Sequence, residues 1–143
     1  MCAVTAADPH DLNRFVEAQD GVFEAARAEL RRGRKTSHWM WFVFPQVAGL
    51  GRSPMAQRYA IASLAEARAY LAHPVLGERL RELTGILTAL RQTDARAIFG
   101  DIDAVKLRSS LTLFDAVEPD GVFARALDRI FAGHRDPATL ERI

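Results

Sequence analysis

Residues that open and close helices recur along almost the whole chain, and they leave room for little except short helices. Asp8-Pro9, Ser53-Pro54 and Asp136-Pro137 each join a side-chain acceptor for first-turn amides to a proline whose missing N–H is not needed there. Ser63, with Glu66 three residues on, has the form of a capping box. Pro74 restarts the chain after His73, Thr93 or Asp94 opens a short turn ending at Gly100, and Asp101 or Asp103 opens the helix after it. Between these signals apolar residues return at threes and fours, as in Val22, Phe23, Ala26 and Leu30, or in the wide stripe Leu76, Leu80, Leu83, Leu87 and Leu90. Gly33, the turn Glu118-Pro119-Asp120-Gly121 and Gly133 stop the runs. The pattern predicts an all-α chain, a single multihelical domain over residues 1–143 built of seven or eight short helices.

Size and charge are compatible with that reading and exclude several function classes. A chain of 143 residues buries roughly two thirds of its unfolded surface and needs no staples. Nineteen basic against eighteen acidic side chains leave a charge of +1, without the footprint of a nucleic-acid-binding tail. The single cysteine, Cys2, forms no internal disulfide, no apolar run reaches bilayer length, and Met1 to Pro9 does not read as a signal peptide. A reduced, cytoplasmic setting is expected, with no membrane partner and with nucleic acid disfavoured. No paired-histidine or Glu-x-x-His spacing occurs, so no metal and no cofactor is expected.

One segment departs from its surroundings. Arg34-Lys35-Thr36-Ser37-His38-Trp39-Met40-Trp41-Phe42-Val43-Phe44-Pro45-Gln46 holds both tryptophans of the chain. Ser37 suits the cap of a helix of about two turns ended by Pro45; the alternation also fits a strand, but no second strand exists to pair with it. The bulk of the segment reads as core. Indole N–H groups need partners, however, and tryptophan is rarely wholly buried, so Trp39 and Trp41 are also candidates for stacking on a ligand. His38 is the candidate general acid or base, since histidine alone titrates near neutrality without help. No activated nucleophile accompanies it.

Just beyond lies Gly49-Leu50-Gly51-Arg52-Ser53-Pro54, where a flexible backbone, a guanidinium and a helix start suit an anion. It is neither a Walker loop nor a dinucleotide fingerprint. Lysine occurs only at 35 and 106, and Lys106 shares a helix face with Ser109 and Ser110. That polar face serves either close packing or a pocket. The run Arg27, Arg31, Arg32 and Arg34 reads as a solvated helix end.

Asp8-Pro9, Ser37-His38-Trp39-Met40-Trp41-Phe42, Phe44-Pro45-Gln46, Gly49-Leu50-Gly51, Tyr59-Ala60-Ile61, His73-Pro74, Ile98-Phe99-Gly100 and Lys106-Leu107-Arg108-Ser109-Ser110 together resemble an uncharacterised bacterial conserved-domain family. Some of its members carry the label calpastatin, although the composition here is a globule's and not that of a disordered inhibitor. The resemblance implies a mainly helical domain and no activity, and it carries over no site residues. From the residues themselves, the expected site is a pocket formed by the 35–53 segment and the 106–112 helix. It would take a small, anionic, nucleotide-like molecule through Lys35, Trp39, Trp41, Gln46, Gly51, Arg52, Ser53, Lys106 and Ser109. The alternative is a non-catalytic interaction or scaffold domain with a protein partner on the Trp-rich segment.

Overall fold

The helix-opening residues act close to where the sequence places them, and each displacement has a local cause. The computed structural model describes residues 7–143, so Cys2 lies outside the described residues. The Asp8 carboxylate reaches past Pro9 to accept from the amides of Leu12 at 2.8 Å and Asn13 at 2.9 Å, and α1 runs Asn13–Gln19. Those two backbone bonds, Asn13's first, hold the Asp8 carboxyl below its ordinary range. After α2 (Phe23–Arg31) and α3 (Met40–Val43), Ser53 accepts from the Ala56 amide at 3.1 Å and starts α4, Pro54–Arg58. Ser63 caps α5, Leu64–Ala72, by accepting from the Glu66 amide at 3.2 Å. The Glu66 carboxylate reaches back to the Ala62 amide at 3.0 Å, one residue before the usual partner.

His73 delays the next helix. Its ring Nδ1 accepts from the amides of Val75 at 3.1 Å and Leu76 at 3.2 Å, so α6 runs Leu76–Ala89 and begins two residues after Pro74. Asp94 caps α7, Ala95–Phe99. Gly100, at φ +82°, turns the chain straight into α8, Asp101–Val117. Neither Asp101 nor Asp103 is therefore the cap; both stand in the first turn, where carboxylates suit the helix dipole. Two more helices follow, α9 (Val122–Phe131) and α10 (Pro137–Leu140), the latter capped by Asp136. The ten helices among the described residues exceed the expected seven or eight because several are single turns. The all-α class holds. An isolated parallel bridge between Val47 and Ile61 is the one extended pairing among these residues.

Helix α8 is the axis of the fold. Residues 109–114 of it are all buried, and α3, α5, α7, α9 and α10 pack around it. Each large core side chain contributes roughly 1.5–3 kcal/mol through the surface it removes from water. Aromatic rings link the layers: Phe15 meets Tyr59 and Tyr70, and Tyr70 continues to Phe114 and Phe123. Buried Gln19 donates to the Phe42 carbonyl at 2.7 Å and to the Tyr70 hydroxyl at 3.2 Å, and accepts from Arg79 at 3.2 Å. Arg14 ties α1 to the far strap of chain, donating to the carbonyls of Arg58 and Ala60 and pairing with Glu66 at 2.8 Å.

Two polar side chains of α8, Ser109 and Thr112, have a structural partner, whereas the buried Ser110 Oγ has no hydrogen bond among the described residues. Ser109 Oγ donates to Asp136 at 2.8 Å, and the Asp136 amide donates to Thr112 Oγ1 at 2.9 Å. The same carboxylate accepts from Thr139 Oγ1 at 2.6 Å. Burial alone would raise the Asp136 carboxyl; the Thr139 and Ser109 bonds and nearby Arg108 outweigh it and hold the group below the ordinary carboxylate range. Asp136→Ala is expected to destabilise the protein by about 2–3 kcal/mol, because it removes a cap and strands buried hydroxyls. Urea unfolding at pH 7 checks this, and Asp136→Asn should recover part of the loss.

Candidate functional site

The segment from Arg34 to Gln46 is organised from outside itself, by Glu29 in α2. Its carboxylate is nearly buried and takes four donors: the Thr36 amide at 2.7 Å, the Ser37 amide at 2.9 Å, Ser37 Oγ at 2.5 Å and the Trp39 indole at 3.1 Å. Ser37 is therefore not a helix cap, and the expected two-turn helix shrinks to the four residues of α3. Burial pushes the Glu29 carboxyl up, but the bonds from Ser37, Thr36 and Trp39 prevail and hold it down at about 2.

This anchorage decides the fate of the first candidates. Trp39 is wholly buried, edge-on to Phe99 and tilted against Phe44, so it is core and offers no stacking face. Lys35 lies over the Trp39 ring at 4.9 Å, pairs with Asp103 at 2.8 Å and donates to the Ser37 carbonyl at 2.6 Å. It is consumed as a clasp between the segment and α8. His38 is exposed and precedes α3 instead of riding on it. Ser109 is committed to Asp136.

A hollow of about 240 Å3 opens beside α3, and four of the sequence candidates line it: Trp41, Gln46, Gly51 and Lys106. Of the predicted 106–112 stretch, Lys106 alone contributes. Arg52 and Ser53 follow Gly51 in the chain but do not line the hollow; both are exposed, and Ser53 is engaged as the α4 cap. Trp39, His38 and Arg52 of the expected 35–53 wall thus do not line the hollow. Tyr59 and Gln57, from the end of α4, complete the polar lining. Sequence reasoning missed them, since the only mark on Tyr59 was its place among the residues of the family resemblance.

Lys106 dominates the electrostatics. Its ammonium sits over the Trp41 ring at 5.2 Å, and its nearest carboxylate oxygen, on Asp103, is 3.8 Å away. The other Asp103 oxygen is already held by Lys35 at 2.8 Å. A cation on the face of a half-buried indole, only loosely paired, is an attraction for a ligand's negative charge. The Gln46 amide and the Tyr59 hydroxyl make no hydrogen bond to another described residue, which leaves donors and acceptors turned to no protein partner. Gly49 holds φ +97°, where a side chain would be strained, and Gly51 packs closely on α4. A Cβ on Gly49 would stand 2.7 Å from Arg142 Nε, and one on Gly51 would stand 2.5 Å from the Ala56 Cβ. Among the described residues no three His, Cys, Asp or Glu side chains gather as a metal site would need, and no helix is long and apolar enough to cross a membrane.

Fold and site together define an all-α domain with a small lateral hollow floored by an indole and edged by one lysine. Residues 9–143 match the family described as "Protein of unknown function (DUF1810)", and the chain belongs to that family. It is similar to a solved structure, the conserved hypothetical protein Rv1873 from Mycobacterium tuberculosis, at 48% identity. That likeness covers 94% of this chain and 96% of the other, with a TM-score of 0.91. No curated protein matches.

Glu29→Gln keeps the shape of the side chain but loses the charge that its four donors serve. The variant is expected to be roughly 2–3 kcal/mol less stable at pH 7. The folded carboxyl titrates at about 2, below the ordinary 4.5, so its contribution is complete above pH 4.5 and drains away as the pH falls toward 2. The gap between parent and variant should close over that interval. Chemical denaturation at a series of pH values measures it, and near-ultraviolet dichroism reports the Trp39 environment.

Proposed function

We propose that the Trp41 hollow binds a small, flat, anionic molecule of the nucleotide kind. Trp41 supplies a π face, Lys106 the positive charge, and Gln46 and Tyr59 the hydrogen bonds that fix orientation. The backbone at Gly51 forms the near wall, with Arg52 and Ser53 next in the chain beyond it. A volume of about 240 Å3 falls short of the ~300–1,000 Å3 of drug-sized sites, so it suits a base-sized ring or a sugar phosphate and not a dinucleotide. The observation that carries this reading is the lysine–indole pair inside a hollow, with its one nearby carboxylate already engaged by another lysine.

The reading is one of binding. His38, the candidate acid or base, is exposed and outside the lining, so no reaction is built on it. An interaction domain docking through the Trp-rich segment draws less support, because Trp39 is buried and Trp41 is only partly exposed and lines the hollow.

Only two tryptophans are present, and one is sealed in the core, so ligand-dependent quenching reports Trp41. Titration with nucleoside monophosphates and sugar phosphates is expected to quench it saturably, and Trp41→Leu should abolish the signal. Lys106→Met should weaken the anionic ligands about tenfold while leaving neutral nucleosides unchanged. Flat titrations across the panel, or equal losses for charged and neutral compounds, would refute the reading.

A further inference from the structure

A second hollow, of about 650 Å3, shares no lining residue with the first and is walled by Arg31, Arg32, Arg34 and Arg91, with Gly33 and Gln92 between them. No acidic side chain lines it. The four arginines, all exposed, come from separate stretches of chain, the end of α2 with the loop after it and the loop after α6. Arg32, Arg34 and Arg91 make no side-chain hydrogen bond or ion pair with another described residue. Arg31 comes no nearer than 4.0 Å to Glu82, which is already held by Arg27 at 2.8 Å.

Cations at helix C-termini have an ordinary explanation, since they offset the dipole. The magnitude decides against it here. Two helix ends carry together about one negative charge, roughly half an elementary charge each. Even with Arg31 set against Glu82, the other three guanidiniums leave an excess of about +2 at one hollow, in a molecule whose total charge is +1. Concentrating like charges in this way costs folding energy through self-repulsion, and an anion in the hollow relieves it.

We infer that this arginine cradle binds a condensed phosphate chain, two or three linked phosphates, free or at the end of a larger metabolite. Planar guanidinium forks match phosphate oxygens two at a time, and several of them span more than one phosphate. The remaining lining residues include no aromatic ring, so the phosphates, and not a base, are what the cradle recognises. The four exposed arginines line one open hollow at the surface, room for two or three linked phosphates, which favours a short oligophosphate over a nucleic-acid strand.

Calorimetric titration with sodium tripolyphosphate tests this. One molecule should bind per chain, at least about tenfold tighter than orthophosphate, and affinity should fall steeply as salt rises from about 50 to about 300 mM. Arg32→Gln and Arg91→Gln should each weaken binding several-fold, with melting temperatures near the parent's because neither side chain has a protein partner to lose. Arg125→Gln, at an exposed arginine of α9, should leave affinity unchanged. The double variant Arg32→Lys, Arg91→Lys keeps the charge but loses the forks and should bind at an intermediate level. The inference fails if no saturable binding is seen, if Arg125→Gln costs as much as Arg32→Gln, or if orthophosphate binds equally well. It also fails if single-stranded oligonucleotides bind more tightly with each added nucleotide, which would make the patch a strand-binding surface.

Discussion

The carboxylate of Glu29 is the interaction on which the arrangement around the site depends. The loop that crosses from α2 to α3 sets amides and a hydroxyl at the edge of the interior and an indole N–H inside it, where an unpaired donor would be costly. One carboxylate answers four of these donors. With that loop pinned, Trp39 fills the core beneath it, Lys35 is laid across the Trp39 ring, and α3 starts at Met40 with Trp41 turned toward the hollow. A charged acceptor is used because four donors converge on it, more than a neutral amide could satisfy.

The polar residues of α8 follow the same logic at the other side of the molecule. Ser109 and Thr112 look out of place inside a buried helix until α10 docks and Asp136 receives and returns their hydrogen bonds. Gln19 performs a similar service between α1, α3 and α5. In each case a single buried polar group fixes a one-turn helix, α10 or α3, against longer neighbours, a register that apolar packing of so short a helix would not specify by itself.

What the sequence made legible is what short-range physics controls. Caps at Ser53, Ser63 and Asp136 and the apolar stripes of α2, α6 and α9 depend on neighbours three or four residues away, and they stand where the pattern puts them. The displaced starts of α1 and α6 come from Asp8 and His73 reaching a few residues further than a plain cap would. The fate of the Trp-rich segment was out of reach, because its partner lies in α2 and looked there like one more charge among arginines. Lys106 and Trp41 were identified as candidates, but nothing short-range tells that Lys106 faces Trp41 while Lys35 faces Trp39. The glycines at 49 and 51 read as ligand-approach positions, yet the close neighbours they permit are Arg142 and Ala56 of the same chain.

Asp103 joins these observations. The chain's two lysines both point at this residue, and the distances, 2.8 Å to Lys35 and 3.8 Å to Lys106, show how unequally it is shared. Coulomb attraction falls with separation, and the closer lysine also gains a hydrogen-bonded contact, so Lys35 takes most of the neutralisation. Lys106 is left with the indole face as its main companion, and a cation–π contact removes none of its charge. The inert lysine and the available one are therefore two outcomes of a single competition. That competition is biased by the Glu29-anchored loop, which delivers Lys35 to α8 and so leaves Lys106 free for the hollow.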